Sequence, residues 1–306
     1  MLKQILFLLK KESMDDEDIY RQAESARDYL RAEGYVSWVT GASDNSFDWK
    51  KEAEKESLLI ATDSSAAAKE LLDEGYYCIG VAHKGNEGEE FTDLKYVFSE
   101  IDDVEADSFV KAYQRYSGEP WEVIKTDRLL IRETTVEDID EFYNLYRDPE
   151  MTKYMEGLFE DPEDEKRYQR DYIKKVYHFY GFGVWTVVRR SDNRIIGRAG
   201  YSMRNGFDEI ELGFLIGKEF QRQGYAYETC KAILEYGRYM LQFEHVQALV
   251  KKENEASIQL CEKLGFERRD EVDIEENIYG HGYKNEDSVC LSEAKYGKYV
   301  KFVLDF

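Results

Sequence analysis

The feature that most limits how this chain can fold is a break at Gly118 and Pro120, in "YSGEPWEVIKTDRLLIRE". A helical pattern runs up to it through "DVEADSFVKAYQRY", and glycine followed by proline cannot carry that helix further. Pro120 is one of only three prolines in 306 residues. The order of elements also changes across it, so a domain boundary falls at about 118–124. Residues 1–120 read as one module and 121–306 as a second, each of ordinary domain size.

The first module alternates strands and helices. The opening "MLKQILFLLKK" has an apolar core only from Ile5 to Leu9. That is too short for a membrane span or a signal-peptide core, and it reads as a buried strand or a short helix. "DDEDIYRQAESARDYLRAEG" has an acidic start, helical spacing and Gly34 as its stop. "SLLIA" is a short buried strand. "SSAAAKELLDEG" is a helix capped by Ser64 or Ser65 and closed by Gly75. "YYCIGVA" and "YVFSEI" are further strands, and "DVEADSFVKAYQRY" is the closing helix. Such alternation predicts a small α/β module with a short parallel sheet.

The second module has another order. "RLLIRE" is a strand, and "TTVEDIDEFYNLYRDP" a helix ended before Pro149. "DPEDEKRYQRDYIKKVYHFYG" is a second helix, with Pro162 in its first turn and Gly181 past its end. "VWTVVRR", "IIGRAGYSM" and "EIELGFLI" are joined by the turns "SDNR" and "RNGFD", hence antiparallel strands. A loop and a helix at about 224–241 follow, then strand "HVQALV", helix "NEASIQLCEKLG", and strands from "FERRDEV" to "YVKFVLDF". This is an α+β arrangement around a mixed sheet.

Composition narrows the partners. The net charge is −22, with 14 basic and 27 acidic side chains among residues 1–120. A phosphate backbone rewards clustered Lys and Arg, so nucleic acid is not an expected partner. Acidity suits a cationic substrate such as an amine, and equally serves solubility alone. Cysteines 78, 230, 261 and 290 form no C-x-x-C pair, and histidines 83, 178, 245 and 281 are scattered. No metal site or disulfide framework is expected, and reduced thiols point to the cytoplasm. Nothing reads as a membrane segment, and a homo-oligomer is compatible with the composition.

Two motifs and an opening carry a resemblance. "QRQGYA" (221–226) fits a Q/R-x-x-G-x-G/A pyrophosphate loop, and "NEASIQLCEKLGF" (254–266) an asparagine-led helix closing in Leu-Gly-Phe. With "IKTDRLLIRETTVEDIDEFYNLYRDPEM" as its opening, residues from about 122 to 306 resemble the GNAT acyltransferase superfamily, in the branch of ribosomal-protein alanine N-acetyltransferases. The first module is faintly similar to a haloacid-dehalogenase-type domain in its strand ends. That family's D-x-D on the first strand is missing, and "LIATDS" offers Asp63 alone.

The resemblance implies acetyl-coenzyme A as co-substrate, with no metal, in a bacterial, cytoplasmic enzyme. Helix N-termini present unpaired N–H groups and a favourable dipole to a pyrophosphate. Gln221, Arg222, Gln223, Gly224, Tyr225 and Ala226 are placed around it, and Gly224 lets the backbone approach without a Cβ. The strand before the loop is expected to splay from "HVQALV", so that the backbone of Phe214, Leu215 and Ile216 meets the pantetheine arm. Asn254 and Ser257 either contact the coenzyme or, for Asn254, simply cap the helix.

Glu211 takes the general-base position of the family, or is a solvated or paired strand carboxylate. Strand alternation puts Glu209, Glu211 and Gly213 on one face. Cys261 stands where many relatives have a tyrosine general acid; it offers a thiol of ordinary pKa about 8.5, or is a small buried filler. Tyr154, Glu156, Phe182 and Trp185 are the acceptor-pocket residues, since aromatic rings beside acids suit a cation. The expected activity is N-acetylation of a primary amine: a protein N-terminus, a polyamine, another small amine or an amino acid. The rival readings are an acyl-coenzyme A sensor without turnover, and a phosphate-handling first module built on Asp63.

Overall fold

The apolar run at the start of the chain is strand β1 (Gln4–Leu9), buried from Ile5 onward. It lies in the middle of a sheet in the computed structural model of the protein, which describes residues 1–42, 44, 46–276 and 295–306. His281 and Cys290 lie outside the described residues. The chain divides into two units, Met1–Trp121 and Glu122–Phe306.

In the first unit, β1 is followed by α1 (Lys11–Asp15), α2 (Glu17–Ala32), β2 (Val36–Gly41), α3 (Trp49–Glu52), β3 (Leu58–Thr62), α4 (Ser65–Asp73), β4 (Tyr77–Ala82), β5 (Val97–Ser99) and α5 (Ala106–Ser117). All five strands are parallel, in the order β2-β1-β3-β4-β5. The expected parallel sheet is therefore present, with one strand more than the sequence suggested. Strand β2 was missed because "VSWVTG" interleaves Ser37 and Thr40 with its apolar residues and forms no continuous run. β1 shows why the sheet is covered on both faces: Ile5, Phe7 and Leu9 pack with Ala23, Ala26 and Phe109, whereas Leu6 and Leu8 pack with Ala68 and Leu71. Asp16 caps α2 by accepting from the amides of Asp18 and Ile19, and Ser64 rather than Ser65 caps α4.

Asp63 follows the third strand, not the first, and β1 runs out into Lys10 and Lys11. Its carboxylate is fully buried. It accepts from the Lys10 amide (2.8 Å), the Ser13 hydroxyl and the Nε2–H of His83 (3.1 Å). The Gly85 amide donates to Nδ1 of that ring, which puts its proton on Nε2.

The second unit contains β6 (Glu122–Lys125), β7 (Leu129–Arg132), α6 (Ile139–Tyr146), α7 (Pro162–Tyr172), a π-helical turn (Ile173–Tyr177), α8 (His178–Tyr180), β8 (Val184–Arg189), β9 (Arg194–Ser202), β10 (Ile210–Ile216), α9 (Tyr225–Tyr239), β11 (His245–Lys251), α10 (Glu255–Lys263), β12 (Glu267–Glu276) and β13 (Lys295–Asp305). The sheet order is β12-β13-β11-β10-β9-β8-β7-β6, and only β10 and β11 pair in parallel. The expected mixed α+β sheet is borne out. β6 is an addition, formed by residues that read as linker because a four-residue edge strand leaves too little pattern. Helix α6 starts later than expected. Asp138 instead accepts from both terminal nitrogens of Arg132 (2.7 Å each) and from the Thr135 amide (2.9 Å).

The core of this unit lies between the sheet and α9 and α10, around Trp185, Tyr201, Phe220 and Phe302. Tyr201 donates its hydroxyl to the Ile233 carbonyl of α9 (2.9 Å). A Cβ at Gly237, one turn on, would lie 2.2 Å from that hydroxyl oxygen. The helix therefore sits against the sheet at a distance only glycine allows. Gly237→Ala is expected to destabilise this unit by about 1–3 kcal/mol through overpacking, read as a lower midpoint in denaturant unfolding followed by tryptophan fluorescence.

Candidate active site

Strands β10 and β11 are seven residues each, yet their parallel ladder has only two pairs, Ile210 with Val246 and Glu211 with Gln247. On its other side β10 stays paired with β9 from Glu211 to Ile216. The edge of Leu212–Ile216 that faces β11 is thus left without a ladder partner, which opens a cleft whose vertex is Glu211. Alternation sorts β10 into two faces: Leu212, Phe214 and Ile216 belong to the core, and Glu211, Gly213 and Leu215 to the opposite face. A Cβ at Gly213 would meet no atom within 4 Å, so there is open space beside Glu211.

The chain leaves β10 through a short turn and enters α9 by way of Arg222 (φ 58°) and Gly224 (φ 84°). No side chain caps the first turn of α9. Its first amides point out of the helix with no intrahelical acceptor, as the phosphate-loop expectation requires. Gly224 in the left-handed region turns the backbone without steric cost. Arg128, which the sequence reading passed over, stands beside this loop. Its guanidinium lies 4.5 Å over the Tyr225 ring, donates to the Gln223 carbonyl (3.1 Å) and pairs with Glu228 (2.6 Å). No spacing rule links residue 128 to residue 224, so nothing in the sequence could have found it.

Other loop residues differ from expectation. The Gln221 amide donates to the Ile216 carbonyl (2.9 Å), and that of Gln223 to the Glu219 carbonyl (2.9 Å). Both side chains therefore brace the turn, and the Ile216 carbonyl is committed. Asn254 caps α10, accepting from the Ser257 amide (3.2 Å). Of its two readings, the cap is the one seen in the chain.

Glu211 is 7% exposed, and its Oε2 accepts from Nε of Arg204 at 2.6 Å. Burial raises its pKa above the usual carboxylate value, and Arg204 pulls in the other direction. Glu156 reaches the same cluster: with Glu211 and Tyr299 it stabilises the charge of Arg204. Gln247, fully buried, donates to the Glu209 carbonyl (3.1 Å), and the Glu209 carboxylate pairs with Lys301 (2.6 Å).

Two candidates are corrected. Cys261 is fully buried in the core, and burial, reinforced by Glu262, pushes its thiol up to about 12. It does not have the solution-like acidity that a general acid for a departing thiolate needs. Trp185 is fully buried too, packed edge-on against Tyr201 and Tyr236, so it lines no open pocket. Phe182 does line one: a cavity of about 290 Å³ walled by Tyr168, Tyr172, Tyr180 and the Asp171–Lys175 pair, with Ser202, the cross-strand partner of Glu211, also lining it. Tyr154 instead meets the Lys153 ammonium, 5.0 Å from its ring. Among the described residues, no three His, Cys, Asp or Glu side chains gather as for a metal ion, and no helix is long and apolar enough to cross a membrane.

Comparison with known proteins agrees with this scaffold. The acetyltransferase (GNAT) domain family matches residues 128–267. YnaD of Bacillus subtilis, named as an uncharacterized N-acetyltransferase, is 31% identical over 150 residues, 47% of this chain and 82% of that protein. The p20 protein of Bacillus licheniformis, named likewise, is 29% identical over 153 residues, 48% of this chain and 83% of its own. Spermidine N(1)-acetyltransferase of Escherichia coli is 33% identical over 86 residues, 28% of this chain and 46% of its own. The chain belongs to the GNAT acetyltransferase family, and its second unit is an N-acetyltransferase domain of that family.

The burial of the thiols has a direct consequence. Cys78, Cys230 and Cys261 are all buried. Each is expected to resist iodoacetamide at pH 8 in the native protein and to be labelled fully after denaturation, as read by peptide mass spectrometry. Native labelling of Cys261 would restore it as a reactive group.

Proposed function

We propose that the protein moves an acetyl group from acetyl-coenzyme A to a primary amine by direct attack, with Glu211 as general base. The observation that carries this reading is the position of Glu211, buried at the vertex where β10 leaves β11, with open space over Gly213 beside it. The uncapped N-terminus of α9 is suited to the coenzyme's pyrophosphate, with Arg128 and Arg222 adding positive charge nearby. The unpaired edge of β10 is suited to the pantetheine arm, and an amide on that edge to the thioester oxygen.

The thioester supplies an acyl carbon open to attack by an amine. A lysine-type amine, with a pKa of about 10.4, is mostly protonated at pH 7 and must first lose a proton. Glu211 takes that proton. The amine nitrogen then bonds to the acyl carbon as the carbon–sulfur bond breaks, its second proton passes to water, and the net reaction gives an amide, a thiol and one released proton. Because Cys261 is withdrawn into the core, the departing thiolate takes its proton from water in this scheme. Glu156, Glu211 and the tyrosine-walled cavity favour a cationic acceptor. Spermidine is the first probe to try, given the relative of that name, alongside N-terminal peptides.

The test is thiol release from acetyl-coenzyme A by the full chain, across a panel of polyamines, small amines and peptides at several pH values. At least one amine should stimulate release. Glu211→Gln should lower kcat by about 10²-fold or more and remove the fall in rate at acid pH, since the base must be unprotonated to act. Gly224→Asp should weaken coenzyme A binding by more than tenfold in calorimetry. Tight coenzyme binding with no amine-dependent release would favour the sensing role instead.

A further inference from the structure

Glu211 has one ionic partner among the described residues, and it comes from the turn that joins β9 to β10. Arg204 Nε donates to Oε2 at 2.6 Å, with the arginine side chain 34% exposed and the carboxylate 10% exposed. The second oxygen, Oε1, has no partner within the described chain. Arg204 is itself held from other elements. Glu156, in the segment before α7, and Tyr299 of β13 both act on its charge. The Tyr299 hydroxyl donates to Glu276 of β12 (2.9 Å), which also pairs with Lys251 of β11 (2.8 Å). Lys301 and Glu209 satisfy each other nearby, and Gln247 and Ser202, opposite Glu211 on its two neighbouring strands, are neutral. Among the described residues Arg204 is thus the one cation bonded to Glu211, and Glu156 and Tyr299, on two further parts of the chain, favour its charge.

A carboxylate this deeply buried resists ionisation, and a protonated Glu211 could not accept a proton from an ammonium group. Resting on the reading of Glu211 as general base, we propose that Arg204 is its positioning residue: the guanidinium holds one carboxylate oxygen in a charge-assisted hydrogen bond, leaving Oε1 to take the acceptor's proton. Arg204 touches neither substrate nor coenzyme in this role and acts through Glu211 alone. Electrons and protons balance without a further reactant. The ammonium proton passes to Oε1, the amine gains its lone pair, and the neutral carboxylic acid later returns the proton to water.

The role is tested by pH profiles of kcat/KM for the full chain and for Arg204→Met, Arg204→Lys and Glu211→Gln, using whichever amine supports turnover. Losing an opposite charge at this distance should move the acid limb of Arg204→Met upward by about one pH unit or more. Rates should return to within a few-fold of the parent at the alkaline end, and Arg204→Lys should fall between the two. A uniform loss of rate with an unmoved limb would mean that Arg204 only supports the fold, and would overturn the proposal. If Glu211→Gln keeps the parent's acid limb, the base assignment itself fails, whatever Arg204 does. The same shift is readable without turnover. The Glu211 carboxyl carbon, assigned in ¹³C-glutamate-labelled protein by its disappearance in Glu211→Gln, should titrate at higher pH in Arg204→Met, and an unchanged midpoint would also overturn the proposal. If Arg204→Met does not fold, Arg204→Lys carries both measurements, with a smaller upward shift expected and no shift counting against the proposal.

Discussion

Backbone amides and carbonyls inside a protein are costly to leave unpaired, so a sheet that stops pairing in its middle needs a reason. In this unit the reason lies between β10 and β11, which share two ladder pairs and then no more. Everything else in the site is arranged around that interruption. β10 stays paired with β9 from Glu211 to Ile216 while its other edge has no ladder partner beyond Glu211. Beyond its end, a turn braced by Gln221 and Gln223 delivers the uncapped first turn of α9 to the same cleft. Unpaired strand amides and unpaired helix amides are the same kind of group, backbone donors without a partner in the ladder or the helix.

Electrostatics near the vertex follow from burial. Glu211 lies where water is scarce, which disfavours its charge and raises its pKa, while the hydrogen-bonded Arg204 works against that rise. The same burial works on thiols with nothing to oppose it. Cys261 lies in the core with no cation against it, and its pKa climbs far from that of the family's tyrosine position in function, if not in number. The carboxylate has a guanidinium partner, and the thiol, buried without one, is a packing residue.

The first unit obeys different rules. Its strands β1, β3 and β4 are buried on both faces and parallel, so they read as apolar runs and leave their C-terminal ends to carry polar side chains. Asp63 sits at one such end, and three donors converge on its carboxylate. In this arrangement the aspartate ties the end of β3 to the segment after β1 and to His83 after β4.

Much of this was legible in the chain because it depends on local pattern. Short apolar runs predicted β3 and β4, an acidic start and Gly34 predicted α2, Pro162 and Gly181 predicted α7, and the tight turns predicted the antiparallel trio β8, β9 and β10. The "QRQGYA" and "NEASIQLCEKLGF" motifs led to the GNAT family. Local pattern fails where an element is short or mixed, which is why β2 and β6 were missed. It also fails wherever a property depends on what arrives from elsewhere in the chain. The sequence by itself determined the α/β class, the family and the position of the loop at the mouth of α9, because each is written in periodicity and short-range spacing. Only the tertiary structure decided that the β10–β11 ladder stops at Glu211, that Arg128 stands 96 positions from the glycine it flanks, and that Cys261 and Trp185 are core residues. Ladder pairing, charge pairing and burial are long-range contacts, and no spacing in one sequence encodes them.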